Sequence, residues 1–295
     1  MWQSGPNAVG DNRTPRELEE LPSEADRRNL SVTPLPSPSA LSLRLITGQE
    51  MNPPPAAIEI AFRIPGTWAH PGELVERMPA GYQLSPDGLI LPDGQRVEIA
   101  PMQPDKQFAQ IFASSCRRPA TDEEQERVNR YTVNMGLMGP GGSIDAARTM
   151  MEAAAAIVQA GGAGVFIDNS ALAHGGEMWL DFADDGSPDA LSFAFVSVVR
   201  GKAEAYTMGM HVLGLPEIKM RRADIEPTGD MIIDVLRYMC QSEKPVEKDH
   251  LLVLESGQPL HVVSKSESEF PAGGPMHNPF GCLFLLPSNE IAERN

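Results

Sequence analysis

Four residues of different chemistry fall within residues 166–179: the carboxylate of Asp168, the amide of Asn169, the hydroxyl of Ser170 and the imidazole of His174. They follow an apolar run that reads as a short buried strand, and the C-terminal end of such a strand is where sheet proteins tend to place ligands. A second set, Tyr206, Thr207, His211 and Glu217, lies in residues 204–220. If Asp168 and His174 met His211 and Glu217, they would offer nitrogen and oxygen ligands to a divalent metal. The same four could form a His–carboxylate pair for proton transfer. Asn169, Ser170 and Tyr206 would then hold a ligand beside these catalytic candidates. Structural duties suit the same residues. Asp168 and Asn169 can bond backbone amides in a strand-end turn, Ser170 can cap a short helix, and His174 can lie on the surface. His211 can be a hydrogen-bonded interior histidine, and Glu217 can fix the turn after Pro216 by accepting amides. The spacing matches no established ligand motif, so neither metal nor cofactor is expected.

Other motifs are weaker. Gly139-Pro-Gly-Gly-Ser143 before a helix has the form of an anion-cradling loop, because free amides and the helix dipole favour a phosphate there. It lacks the Gly-Lys-Ser/Thr ending of a phosphate-binding loop, and Asp145 would itself use the positive end. Ser143 and Ser170 lack a Gly-x-Ser-x-Gly frame. Most of the 15 methionines fall on apolar stripes and read as core filling. Residues 270–280 form a Gly- and Pro-rich loop that either covers a groove or merely connects.

Composition bounds the partners. The 295 residues are enough for one large or two ordinary domains. A formal net charge of −16 makes the chain acidic and argues against nucleic acid and anionic membranes, which both reward clustered Lys and Arg. The only adjacent basic pairs, Arg27-Arg28, Arg117-Arg118 and Arg221-Arg222, are too short for such a footprint. Three widely spaced cysteines, Cys116, Cys240 and Cys282, exclude a C-x-x-C motif and a dense disulfide framework. With neither a signal peptide nor an apolar run of the ~18 residues a span requires, a cytoplasmic setting is expected.

The elements that must position these side chains begin late. Residues 1–54 are rich in Pro, Ser, Arg and Glu and read as a disordered tail, with Met51 a possible true start. Ile58, Ile60 and Phe62 then alternate with polar residues as a strand. Pro71 suits the start of a short helix. Two strands meet at Asp93-Gly94, a hairpin signal, and residues 102–116 fit helix or strand. Thr121-Asp-Glu-Glu124 is a capping box. A strand over 131–137, a helix capped by Ser143 with Ile144, Ala147, Met151, Ala154 and Val158 on one stripe, and a strand at 164–167 make a β-α-β unit. Residues 191–199 and 204–210 read as an antiparallel strand pair about Arg200-Gly-Lys202, followed by a strand at 218–222. Thr228 caps a helix whose Ile232, Val235, Leu236 and Met239 share a face. A hairpin about Ser256-Gly257 and a last strand at 282–286 complete the pattern.

Tyr206-Thr-Met-Gly-Met-His-Val-Leu-Gly-Leu-Pro-Glu-Ile218, followed by an amphipathic helix and paired strands, resembles a bacterial family known as domain of unknown function 4261. The likeness covers about residues 202–287, under a third of the chain, and Gly164-Val-Phe-Ile-Asp-Asn-Ser170 resembles the region accompanying that domain. It implies an α+β domain and brings over no active-site residue. The expected architecture is α+β: a mixed, mainly antiparallel sheet with helices on one face and one β-α-β unit. The expected parts are an N-terminal β/α part at 55–120 and a main domain at 121–290, with one continuous sheet an open alternative. The expected function is non-catalytic binding of a protein or small-molecule ligand. The alternative is a small metal-dependent or His/carboxylate hydrolase using Asp168, His174, His211 and Glu217.

Overall fold

The computed structural model describes residues 57–85, 88–225, 231–242, 244–254, 257 and 259–288. They belong to one unit, Asn52–Asn295. The expected tail over 1–54, the Thr228 cap and Ser256 lie outside the described residues.

The first half builds from local signals. β1 (Glu59–Gly66) buries Ile60, Phe62 and Ile64 on alternate positions. α1 (Pro71–Arg77) carries Pro71 in its first turn, where a missing N–H costs nothing, and His70 Nδ1 accepts the Glu73 amide at 3.1 Å. β2 (Gln83–Ser85), β3 (Gly88–Ile90) and β4 (Arg96–Met102) form a meander through the Asp93-Gly94 turn. The ambiguous stretch resolves as α2 (Phe108–Ser115), which buries Phe108 and Phe112 one turn apart. α3 (Asp122–Asn129) opens with the expected capping box: Thr121 Oγ1 accepts the Glu124 amide and Glu124 Oε2 accepts the Thr121 amide. β5 (Val133–Pro140), α4 (Ile144–Gln159) and β6 (Gly164–Ile167) follow, with Ala147, Met151, Ala154 and Val158 of the α4 stripe all buried.

The second half continues with β7 (Leu172–Gly175), α5 (Gly176–Asp185), α6 (Pro188–Phe195), β8 (Ser197–Arg200) and β9 (Glu204–Met208). A 3-10 turn, Met210–Leu213, leads to β10 (Glu217–Arg221), α7 (Arg222–Ile225) and α8 (Met231–Gln241). β11 (Leu251–Val253), β12 (Pro259–Ser266) and β13 (Cys282–Pro287) end the fold. Residues 191–199 therefore do not form the single strand expected. Ser187 Oγ accepts the Ala190 amide at 3.1 Å and Pro188 sits in the first turn, so a helix captures the run as far as Phe195. An unbroken apolar run carries no period to tell helix from strand.

The fold is α+β, with two mostly antiparallel sheets. One has the order β2-β3-β4-β5-β1-β6-β7, the other β11-β12-β13-β10-β9-β8. β1 is antiparallel to both β5 and β6, so those two run parallel with β1 between them. The β-α-β unit is thus present, with its crossover α4 spanning one intervening strand. Because β1 pairs with β5 along its whole length, the expected division at 120/121 runs through a sheet and separates nothing. β13 likewise lies inside the second sheet, parallel to β10 and antiparallel to β12. The main core joins α4, α5 and α6 to both sheets around Phe62, Trp179 and Phe195, whose ring centroids lie 5.4–5.9 Å apart. Phe166 points the other way from Val165 and Ile167 and joins α2 and α3 in a smaller cluster on the opposite side of β6 and β7.

Candidate functional site

The residues from Thr207 to Ile218 close a turn on themselves. Glu217 is buried at the start of β10, where its Oε1 accepts the amides of Gly209 and Met210, both at 3.1 Å, and Nδ2 of Asn278 at 2.9 Å. Its Oε2 accepts the Thr207 hydroxyl at 2.7 Å, and Thr207 Oγ1 in turn accepts the Ile218 amide at 2.8 Å. The carboxylate thereby caps the 3-10 turn from seven to eight residues along the chain, the buried equivalent of a helix N-cap. Gly209 must be glycine twice over. Its φ is +108°, and a Cβ there would stand 2.5 Å from the Phe195 carbonyl oxygen and 2.8 Å from Ser170 Cβ.

Asn169 and His211 extend this network to the first sheet. Asn169 Oδ1 accepts the Ala61 amide at 2.9 Å, and its Nδ2 donates to Glu59 O at 2.9 Å and Pro275 O at 3.0 Å. His211 Nε2 lies 3.0 Å from the same Pro275 oxygen; a carbonyl only accepts, so Nε2 carries the hydrogen. Asn169 Nδ2, at 3.4 Å, therefore touches that nitrogen as a second donor and does not bond it. His211 Nδ1 is 3.6 Å from Glu217 Oε1, beyond hydrogen-bond length. Asn169, His211 and Glu217 do meet, then, and what they hold is the chain's own backbone, including the loop that contains Pro275 and Asn278.

The other sequence candidates go elsewhere. Asp168 faces Arg63, whose Nε is 2.9 Å from its Oδ1. Ser170 is fully buried against Gly209 and caps nothing, its Oγ lacking a partner among the described residues. His174 is not a surface residue. It is fully buried on β7, donates from Nε2 to Ala194 O at 2.9 Å and packs against the rings of Trp179 and Phe182. Burial, and secondarily nearby Arg117, pushes its pKa down to about 4 against the opposing pull of that hydrogen bond. Tyr206 is turned away from the network, beside Lys219, which also lies 3.5 Å from Glu204. The 139–143 loop is no open cradle, because Gly141 N donates to Ile58 O and Gly142 N to Val212 O, both at 2.8 Å. Burial raises the thiol of Cys116 to about 11 and those of Cys240 and Cys282 to about 12, which keeps all three protonated at neutral pH. Among the described residues no group of three or more His, Cys, Asp or Glu is placed to hold a metal ion.

Charges face open space in a different place. A cleft of ≈ 460 Å³ runs between the α2–α3 connection, α5, α6 and α8. Phe193 of α6 is flanked by the guanidinium carbons of Arg117, 5.2 Å from the ring centroid, and Arg237, 4.9 Å. Arg117 donates to Val196 O, and Arg237 Nε lies 2.8 Å from Asp189 Oδ1 without hydrogen-bond alignment. Burial, then Arg200 and Arg118, push the Arg117 pKa down to about 10. Glu177 and Asp181 of α5 line the same cleft, one helical turn apart and exposed. Glu124 is no free charge here: beyond its own capping box it accepts the Glu177 amide at 2.8 Å and so starts α5 as well. A second groove, ≈ 610 Å³ and mainly apolar, lies between α1 and the ends of β4 and β5 around Trp68 and Leu74. Sequence reasoning passed over Phe193, Arg237, Glu177 and Asp181. The readable signals were the Arg117-Arg118 pair before a capping box and the two carboxylates at helical spacing.

Among the described residues no helix is long and apolar enough to cross a membrane. Set against family models, curated proteins and solved structures, the chain matches none.

Proposed function

We propose that the protein is a non-catalytic, cytoplasmic binding domain whose partner is a small molecule or another protein. The observation that carries this reading is the state of Glu217, whose two oxygens accept from Gly209, Met210, Asn278 and Thr207. A carboxylate so occupied cannot take a substrate proton or ligate a metal without opening the turn it holds. Asp168 beside Arg63 and His174 beneath Phe182 support the same conclusion, since each is bonded away from His211. Three free thiols suit a reducing compartment, and the charge of −16 disfavours nucleic acid and anionic membranes as partners.

Kinship with the family numbered 4261 belongs to this reading. Thr207, Gly209, Met210 and Glu217, which carry the likeness, are the residues that make the turn, so the pattern describes architecture rather than chemistry. The test is elemental analysis of the purified protein together with a screen of ester, amide and phosphoester hydrolysis. The expected result is substoichiometric zinc and manganese and no turnover above the level of a His211→Ala variant. Stoichiometric metal that His211→Ala removes, or turnover lost in that variant, would overturn the proposal in favour of the hydrolase.

A further inference from the structure

We propose that the cleft around Phe193 binds a small zwitterion of the amino-acid class, its carboxylate towards Arg117 and Arg118, its ammonium towards Glu177 and Asp181, and its apolar body on Phe193 and Phe182. This rests on the binding-domain reading and adds the site and the ligand class.

The lining of the cleft carries charges of both signs, Arg117, Arg118 and Arg237 together with Glu177 and Asp181. Arg117 and Arg118 are adjacent in sequence, and neither has a carboxylate partner among the described residues. Arg117 is largely withdrawn from water, with Arg118 and Arg200 near enough to disfavour its charge, yet at about 10 it stays protonated at neutral pH. A guanidinium in that state gains most from an anion, and its planar fork suits a carboxylate held by two hydrogen bonds. In the same lining, Glu177 and Asp181 are i and i+4 on α5, a spacing at which like charges repel. Neither has a basic side chain bonded to it among the described residues. An ammonium between them relieves that repulsion.

Alternative ligands fit one set of charges and offend the other. A phosphate dianion gains from the arginines but meets two carboxylates, and a simple amine meets the reverse. A ligand with both charges gains from both sets. Phe193, Phe182 and Met178, all half-buried, add aromatic and aliphatic surface to the same lining, which suits an apolar side chain. The volume of ≈ 460 Å³ is in the range of small-ligand sites.

Isothermal titration of the full chain with three probes tests this: L-phenylalanine, N-acetyl-L-phenylalanine (anion only) and phenethylamine (cation only). Phenylalanine should bind at millimolar dissociation constant or tighter, and each half-probe about tenfold more weakly. Arg118→Ala, at an exposed position, should weaken phenylalanine about tenfold. Asp181→Asn should erase its advantage over the N-acetyl form; circular dichroism confirms that both variants fold. No heat with phenylalanine at millimolar concentration overturns the site, and equal affinity for phenylalanine and its N-acetyl form overturns the zwitterion assignment. Probe recovered unchanged keeps the binding-domain reading. Probe consumed sinks that reading while leaving the cleft occupied.

Discussion

Around Glu217, four donors from two separate segments converge on one carboxylate, and scarcely any polar capacity is left over. Around Phe193, two guanidiniums flank a ring while Arg118, Glu177 and Asp181 line the cleft as exposed residues. Both regions gather residues that could do chemistry, and the first is much the richer in sequence. The lesson lies in what each polar atom already touches. A buried carboxylate has to be bonded to be tolerated at all, so density of polar residues in a buried turn reports architecture. Exposed charges at the edge of a cleft need no internal partner, so they remain available to a ligand.

The sharpest way to break that contrast is Glu217→Ala. Removing the acceptor leaves the Gly209 and Met210 amides, Asn278 Nδ2 and the Thr207 hydroxyl facing a cavity, and each buried group left unpaired costs ~1–3 kcal/mol. Some will find water, so a loss of at least about 3 kcal/mol is expected in urea unfolding. A loss below about 1 kcal/mol would mean that the turn holds without its cap, and Glu217 would return as a functional candidate.

The turn was partly legible because its signals are local. Gly209, Pro216 and Glu217 lie within nine residues, and a glutamate following proline could be read as an acceptor of nearby amides. The capping box at Thr121 and Glu124, the Ser143 cap and the α4 stripe were legible for the same reason. What failed was whatever depends on distant partners. Leu191–Phe195 became helix because Ser187 and Pro188 start one just upstream of an apolar run without a period. His174 went into the core because β7 pairs with β6 and sits beneath α6. The cleft draws on Arg117, Asp181, Phe193 and Arg237, which span 121 residues of chain, so no spacing rule announces it.

His174 lies between the two regimes, a buried group with one nitrogen bonded and the other, Nδ1, without a partner among the described residues. Its folded pKa of about 4 is below the ordinary histidine value of about 6.5, so the unfolded chain takes up the proton first as pH falls. Its contribution is therefore fully present above pH ~6.5, shrinks between there and pH ~4, and levels off below, for a total on the order of 3 kcal/mol. Carboxylates titrate in the same window, so the comparison must be with a His174→Gln variant, whose amide can still donate to Ala194 O. Stability of the wild type should fall more steeply than that of the variant between these two values. Parallel curves would mean that the imidazole is solvated or takes its charge without cost.

The smallest effect should come from the cleft. Arg118 is exposed and has no carboxylate partner among the described residues, and its charge disfavours that of Arg117. Arg118→Ala should change unfolding free energy by no more than about 0.5 kcal/mol, the usual range for a surface substitution away from any bonded network. The sign, if resolved, should be stabilising, because a repulsion is removed, and raising the salt should shrink it as the arginines become screened from one another. The same substitution is expected to weaken phenylalanine binding about tenfold, and that pairing is the discriminating result. A residue that matters for a ligand and hardly at all for the fold belongs to a site. If Arg118→Ala instead cost more than about 1 kcal/mol, the arginine would be holding structure, and the two regions would differ only in how deeply their polar networks are buried.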